Sequence, residues 1–169
     1  MSEELIVDFS KNDEQKYQKL LPQITSLISE TEPIISSFSN ITAALKQTFS
    51  KISWVGFYFV KGTNLYLGPF QGNIACTILK KGIGVCGTSL ESGETIIVDD
   101  VNKFKGHIAC DSGSRSEIVV PLFYNNKVFA ILDIDSYDYN SFNDIDKKYL
   151  EELATIISNK LQLDNFILS

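Results

Sequence analysis

Apolar residues recur at helical spacing near the start of the chain. Leu20, Leu21, Ile24, Leu27 and Ile28 share one face, behind Ser10 and Asn12 as candidate caps. Pro22 falls inside this stretch and predicts a kink or the start of a new turn. Ile34, Ile35, Phe38, Ile41, Leu45 and Phe49 predict a second helix from about Glu32 to Ser50. At Ile52 the period changes. ISWVGFYFV and LYLGPF flank a GTN turn and predict a hairpin. ACTIL predicts a short strand, KKGIGVCGTSLESGE a glycine-rich loop with one short helix, and TIIVDD another strand. Residues 101–116 have no period and read as a long loop. EIVVPLF and VFAILDI, joined through Asn125 and Asn126, predict a second hairpin, because asparagine tolerates positive φ. The end of the chain predicts a long amphipathic helix, capped by Asn143 or Ser141, with Tyr149, Leu153, Ile156, Ile157 and Leu161 as its stripe.

Helices at the two ends and hairpin-joined strands between them mark an α+β fold. It should have a central antiparallel sheet with the N- and C-terminal helices packed together. No repeat or linker divides the 169 residues. They read as one domain: helices over 1–50, sheet and loops over 52–135, and the closing helix over 142–165.

Composition narrows the function. Hydrophobic residues at 44% and charged residues at 21% are those of a folded globular domain. A net charge of −6 argues against nucleic acid and anionic membrane as partners, both of which need clustered lysine and arginine. No apolar run is long enough to span a bilayer, and the acidic N-terminus is not a secretory signal, so a cytoplasmic protein is expected. Three cysteines do not form a secreted disulfide framework. With no Cys-x-x-Cys pair and one histidine, they do not form a zinc site either, and no metal is expected.

GIGVCG (82–87) matches G-x-G-x-x-G. Its first acidic follower in a strand, Asp99, comes only a dozen residues later, too soon for a helix and a strand. The glycines are better read as letting a loop cross close to a sheet. Asp133 and Asp135 point the same way at the end of an apolar strand. They either bind a cation, such as a substrate ammonium or a metal, or sit solvated where the strand stops. Cys110 lies in the polar stretch GHIACDSGSRSE, which also holds the only histidine, His107. A thiol there is at least partly exposed, and His107 or Arg115 is the candidate cation to ionise it. Trp54 and Tyr58 share one strand face, as core or as an aromatic box around a small apolar or sulfur-bearing group.

Together, WVGFYF, LGPFQG, ACTI, GVCGTS, GHIACDS, SEIVVPL and LDIDS resemble the free methionine-(R)-sulfoxide reductases, small single-domain enzymes of the GAF fold. The blocks occur in order from about Trp54 to the final helix and contain all three cysteines. The chain departs from the family at Lys105, where a proline is usual, and Arg115 sits at a variable position. The resemblance implies reduction of free methionine (R)-sulfoxide. Cys110 would be the attacking thiol. Cys76 or Cys86 would be the resolving thiol, Cys76 being the first choice. Glu117, Asp133, Asp135, Trp54 and Tyr58 would bind substrate. It also implies a sulfenic acid, then a disulfide reduced by thioredoxin, no cofactor, a role under oxidative stress, and a homodimer through terminal helices. A GAF domain that binds a small ligand without turnover is the alternative, and a cysteine-based peroxide reductase a weaker one.

That reading carries a geometric demand. A two-residue Asn125-Asn126 turn continued in regular register would set Glu117 opposite Ile134, facing away from both aspartates. A three-residue loop, Asn125–Lys127, pairs Glu117 with Asp135 and Val119 with Asp133, and all three acids then share a face. The three-residue loop, or a bulge that restores the same register, is expected.

Overall fold

Short capping signals and long apolar stripes set the helices. In a computed structural model that describes residues 4–28, 31, 33–106 and 110–161, Asn12 caps helix α1 (Asp13–Leu27), its side chain accepting from the Gln15 amide at 2.9 Å. The helix runs on through Pro22 and does not restart there. Helix α2 (Ile34–Thr48) follows Pro33, so it starts and stops about two residues inside the expected span. Strands β1 (Trp54–Lys61) and β2 (Asn64–Gln71) form the first hairpin. Strand β3 (Ile78–Lys80) is shorter than expected and leaves Cys76 outside it. Helix α3 (Gly84–Ser92) and strand β4 (Ile96–Val98) follow. A single 3-10 turn (Val101–Lys103) interrupts the expected long loop. Strands β5 (Ser116–Tyr124) and β6 (Lys127–Ser136) make the second hairpin, and α4 (Asp144–Lys160) closes the fold. The expected end of α4, near residue 165, lies outside the described residues.

The six strands form one antiparallel sheet in the order β3-β2-β1-β6-β5-β4. One face carries Val55, Phe57, Ile118, Val120, Leu132 and Ile134, all buried against α1, α2 and α4. The other face carries Trp54, Tyr58, Val119 and Ile131, covered by Val85 and Cys86 of α3. The helices therefore split into a thick layer that stabilises the domain and one short helix that roofs the opposite face. No helix among the described residues is long and apolar enough to cross a membrane.

The second hairpin corrects the three-residue loop. Asn125 and Asn126 both adopt positive φ, 49° and 61°, and make a two-residue turn that pairs Tyr124 with Lys127. The register then shifts: Phe123 pairs with Val128, but Leu122 pairs with Ala130. Phe129 is the extra residue. Phe129 and Ala130 both pack into the helix-side core, while Val128 packs on the other face. Two successive residues on one face are the mark of a bulge. Beyond it Glu117 lies opposite Asp135 and Val119 opposite Asp133. The bulge supplies the register that the three-residue loop was expected to supply.

Asp146 ties the first and last helices together. It is fully buried and accepts from the Tyr17 hydroxyl at 2.9 Å, the Lys51 ammonium at 2.7 Å and the Asn143 amide at 3.0 Å. Lys51 also reaches Asp13 at 2.6 Å. Asp146→Ala leaves a buried hydroxyl and a half-buried ammonium without that acceptor. It should cost about 3–5 kcal/mol in a denaturant titration, the range for breaking a buried ion pair from one side. A loss under 1 kcal/mol would show that water replaces the carboxylate freely.

Candidate active site

The site is built on the face roofed by α3. Antiparallel register sets Trp54 opposite Asp135 and Gly56 opposite Asp133 on one side of β6, with Glu117 opposite Asp135 on the other side. Directly paired residues share a face at a spacing of about 5 Å. Three carboxyl groups from two strands therefore converge. Gly56 is needed here: a β-carbon on it would run into the Trp54 indole, which lies over that position.

These acids are held out of water. Glu117 and Asp133 are 6% and 7% exposed. Burial, then the neighbouring charges of Asp133 and Asp135, pushes the Glu117 carboxyl well above its ordinary range. Burial also raises Asp135, helped by the charge of Asp133 and opposed by a hydrogen bond to Ser114. Asp133 is raised by burial to about 6, with hydrogen bonds to Cys86 and Glu117 pulling the other way. Its Oδ1 is buried without a hydrogen-bond partner. Three carboxylates this close do not all ionise, so the cluster shares protons at neutral pH.

Cys76 and Cys110 are joined in a disulfide, with their α-carbons 5.4 Å apart. Cys76 lies in the β2–β3 loop and Cys110 in the loop before β5, both half-buried. Cys86, in the first turn of α3, is free and buried. Its sulfur lies 3.9 Å from Glu117 Oε1, placed to donate its weak proton there. Burial and the charges of Asp133 and Glu117 push this thiol well above its ordinary value, so it stays protonated. Cys86, Glu117 and Asp133 bring donor atoms within 4.8 Å of one another, the one such cluster among the described residues.

A cavity of about 40 Å³ connects the two regions, lined by Cys86, Cys110, Ser114, Glu117, Asp133 and Asp135. It has room for about one water, not for an amino acid. Trp54 and Tyr58 share the acid face but lie beneath the Cys76 loop, outside the lining of this cavity. The Trp54 indole donates to the Asn73 carbonyl at 3.0 Å, and the Tyr58 hydroxyl donates to the Cys76 carbonyl at 3.0 Å. Of the GIGVCG glycines, Gly87 serves close packing, since a β-carbon on it would collide with the Lys80 carbonyl of β3, while Gly82 and Gly84 adopt positive φ.

His107, the first candidate cation for Cys110, lies outside the described residues. Arg115, the second, spends its guanidinium on the loop itself, donating to the Ser112 and Ser114 carbonyls at 3.0 and 2.9 Å. Sequence reasoning missed Ser114, Asn73 and Tyr137. Ser114 is buried beside Asp135 and had only its place in the polar loop to mark it.

Protonated acids also set a pH dependence. A carboxyl raised in the folded state stabilises the fold below its unfolded value and loses that contribution as pH rises through its folded value. For Asp133 the window runs from about 4 to about 6. Asp133→Asn should therefore melt several degrees higher than wild type at pH 8, and the difference should shrink toward pH 4. An equal shift at both pH values would mean that folding leaves this carboxyl's pKa unchanged.

A GAF domain model matches residues 37–162. The chain is 48% identical to GAF domain-containing protein A of Dictyostelium discoideum over 160 residues, covering 94% of this chain and all of that one. It is 41% identical to the free methionine-R-sulfoxide reductase of Saccharomyces cerevisiae over 155 residues, 87% of this chain and 86% of that one. The free methionine-R-sulfoxide reductase of Neisseria meningitidis, solved in complex with its substrate, superposes with a TM-score of 0.87 at 41% identity, over 93% of this chain and 95% of that one. Fold, length and sequence agree along nearly the whole chain, so the protein belongs to the GAF-domain family of free methionine-R-sulfoxide reductases.

Proposed function

We propose that the protein reduces the R epimer of free methionine sulfoxide to methionine. The observation that carries this is the Cys76–Cys110 disulfide set over a buried cluster of three proton-sharing acids. The related enzymes act on that compound by name.

In the reduced protein the Cys110 thiolate attacks the sulfoxide sulfur. Oxygen passes to Cys110 as methionine departs, so the substrate sulfur is reduced by two electrons and the cysteine is oxidised by two, to a sulfenic acid. A proton lent by the acid cluster offsets charge on the sulfoxide oxygen in the transition state. Ionised members of the cluster hold the substrate ammonium. Trp54 and Tyr58 form the floor on which the substrate sulfur rests once the cysteine loops part. Cys76 then displaces hydroxide from the sulfenic sulfur, and with its thiol proton this leaves as water. The resulting disulfide is reduced by exchange with a dithiol donor of the thioredoxin type. No cofactor enters this scheme. Such a cycle suits a reducing, cytoplasmic setting and protection under oxidative stress. Pairing of two copies through the terminal helices is the assembly proposed on family grounds.

The test is NADPH consumption through thioredoxin reductase and thioredoxin, with R and S epimers of free and peptide-bound methionine sulfoxide supplied separately. Turnover confined to the free R compound is expected. Binding of that compound with no methionine released would favour a sensor, and faster turnover of hydrogen peroxide would favour a peroxide reductase.

Cys86 is the rival to Cys76 as the resolving thiol. It stays protonated and faces the acids, whereas Cys76 is bonded to Cys110. Cys76→Ser should still release about one methionine per site in a single turnover, because the first oxidation precedes disulfide closure. Steady-state turnover with thioredoxin should fall by about tenfold or more. Full turnover retained in Cys76→Ser and lost only in the Cys76→Ser/Cys86→Ser double variant would reverse the assignment.

A further inference from the structure

The two loops that carry the disulfide are also tied by a second, non-covalent link. Asn73 stands three residues before Cys76, Asp111 follows Cys110, and Tyr137 comes just after β6. The Asn73 side-chain amide donates to Asp111 Oδ2 at 3.2 Å and to the Tyr137 hydroxyl oxygen at 2.9 Å. The Tyr137 hydroxyl donates to the same Asp111 oxygen at 3.0 Å. Three side chains from three segments thus close a triangle beside the disulfide. Asp111 Oδ1 accepts from the Gly113 amide at 2.8 Å, which fixes the carboxylate's orientation. Gly113 also leaves space for the tyrosine: a β-carbon there would lie 2.8 Å from Tyr137 Cε1.

The Cys76 loop is anchored from below as well. The Trp54 indole holds the backbone of Asn73 itself, and the Tyr58 hydroxyl holds that of Cys76. Asn73 is therefore a pivot, with its backbone fixed to the sheet and its side chain fixed to the Cys110 loop.

We propose that Asn73, Asp111 and Tyr137 form a clasp that positions Cys76 against oxidised Cys110. It acts on disulfide closure and not on methionine release, and so rests on the reaction proposed above. Cys76 Sγ–H and Cys110 Sγ–OH become an S–S bond and water; no other oxidant is needed. A link that favours the closed arrangement raises the effective concentration of one thiol at the other sulfur. By reciprocity, the disulfide stabilises the clasp as much as the clasp stabilises the disulfide. Asn73, Asp111 and Tyr137 touch no reacting atom in this scheme and are positioning residues.

The test has two readouts. Reduced protein is mixed with one equivalent of free methionine (R)-sulfoxide and quenched over time, with methionine, a trapped sulfenic acid and the disulfide measured separately. The dithiol–disulfide equilibrium is measured independently in glutathione buffers. Asn73→Ala and Tyr137→Phe should release methionine at the wild-type rate and close the disulfide about fivefold to tenfold more slowly, the scale of one ordinary hydrogen bond. The glutathione equilibrium should move toward the dithiol by a similar factor. Asn73→Asp, which sets a second carboxylate against Asp111, should be worse than Asn73→Ala. Asn73→Lys, which offers Asp111 an ammonium, should recover most of the loss. Unchanged closure and equilibrium in both Asn73→Ala and Tyr137→Phe would overturn the clasp, as would a parallel loss of methionine release. If wild type released no methionine, the proposed function would fall, and the glutathione equilibrium would still decide whether the clasp holds the disulfide.

Discussion

Cys110→Ser is expected to release no methionine, even in a single turnover with stoichiometric protein. The substrate sulfur has to be attacked by a group that can itself accept oxygen and give up two electrons. A thiolate does this; a serine hydroxyl is a poor nucleophile toward sulfur and has no accessible counterpart of the sulfenic acid. The remaining cysteines do not replace it. Cys86 is buried and held protonated by its acidic neighbours. Cys76 lies in the opposite loop, with its carbonyl held by Tyr58. The loss should be at least about a thousandfold, that is, at least about 4 kcal/mol of transition-state stabilisation. Quenched-flow measurement of free methionine decides it: one methionine per site from the serine variant would move the chemistry to another residue.

Acylating the substrate amine should have the next largest effect. Free methionine (R)-sulfoxide presents an ammonium, a carboxylate and a sulfoxide within one small molecule. Glu117, Asp133 and Asp135 form an acidic, water-poor surface that suits a cation. N-acetyl-methionine (R)-sulfoxide lacks the charge, so a carboxylate meant for it would be buried unpaired. Such a loss costs about 2–5 kcal/mol. kcat/KM should fall by about thirtyfold to several thousandfold. Near-equal kcat/KM for the two compounds would remove the ammonium from the role of the acids.

Much of this architecture can be read from the chain. The helical stripes around Leu20 and Leu153, the cap at Asn143 and the two hairpins follow from local periodicity and turn chemistry. Local rules act over a few residues, so they survive without tertiary context. They failed where packing outweighs them. Pro22 does not restart α1, because tertiary burial of Leu20, Leu21 and Ile24 carries the helix across it. The ACTIL segment pairs only from Ile78 onward, which frees Cys76 to lie in a loop.

The candidate chemistry divides in the same way. Sequence alone placed a thiol in a polar loop, two aspartates on one strand face and a chain of family motifs. Three things waited for the tertiary structure. The hairpin turn is legible in Asn125-Asn126, but the bulge at Phe129 is not, because it depends on which core claims two successive apolar side chains. Without it Glu117 would face away from Asp133 and Asp135. The identity of the thiol facing Cys110 depends on two loops 34 residues apart in sequence, brought together by the sheet and by the Asn73–Asp111–Tyr137 contacts. The protonation of the acids depends on burial under α3 and on their distance from one another, neither of which is written in residue type. Sequence by itself determined which groups are available and the local shapes that carry them; distances between segments remote in the chain, and hence reactivity, arose only once the core had packed.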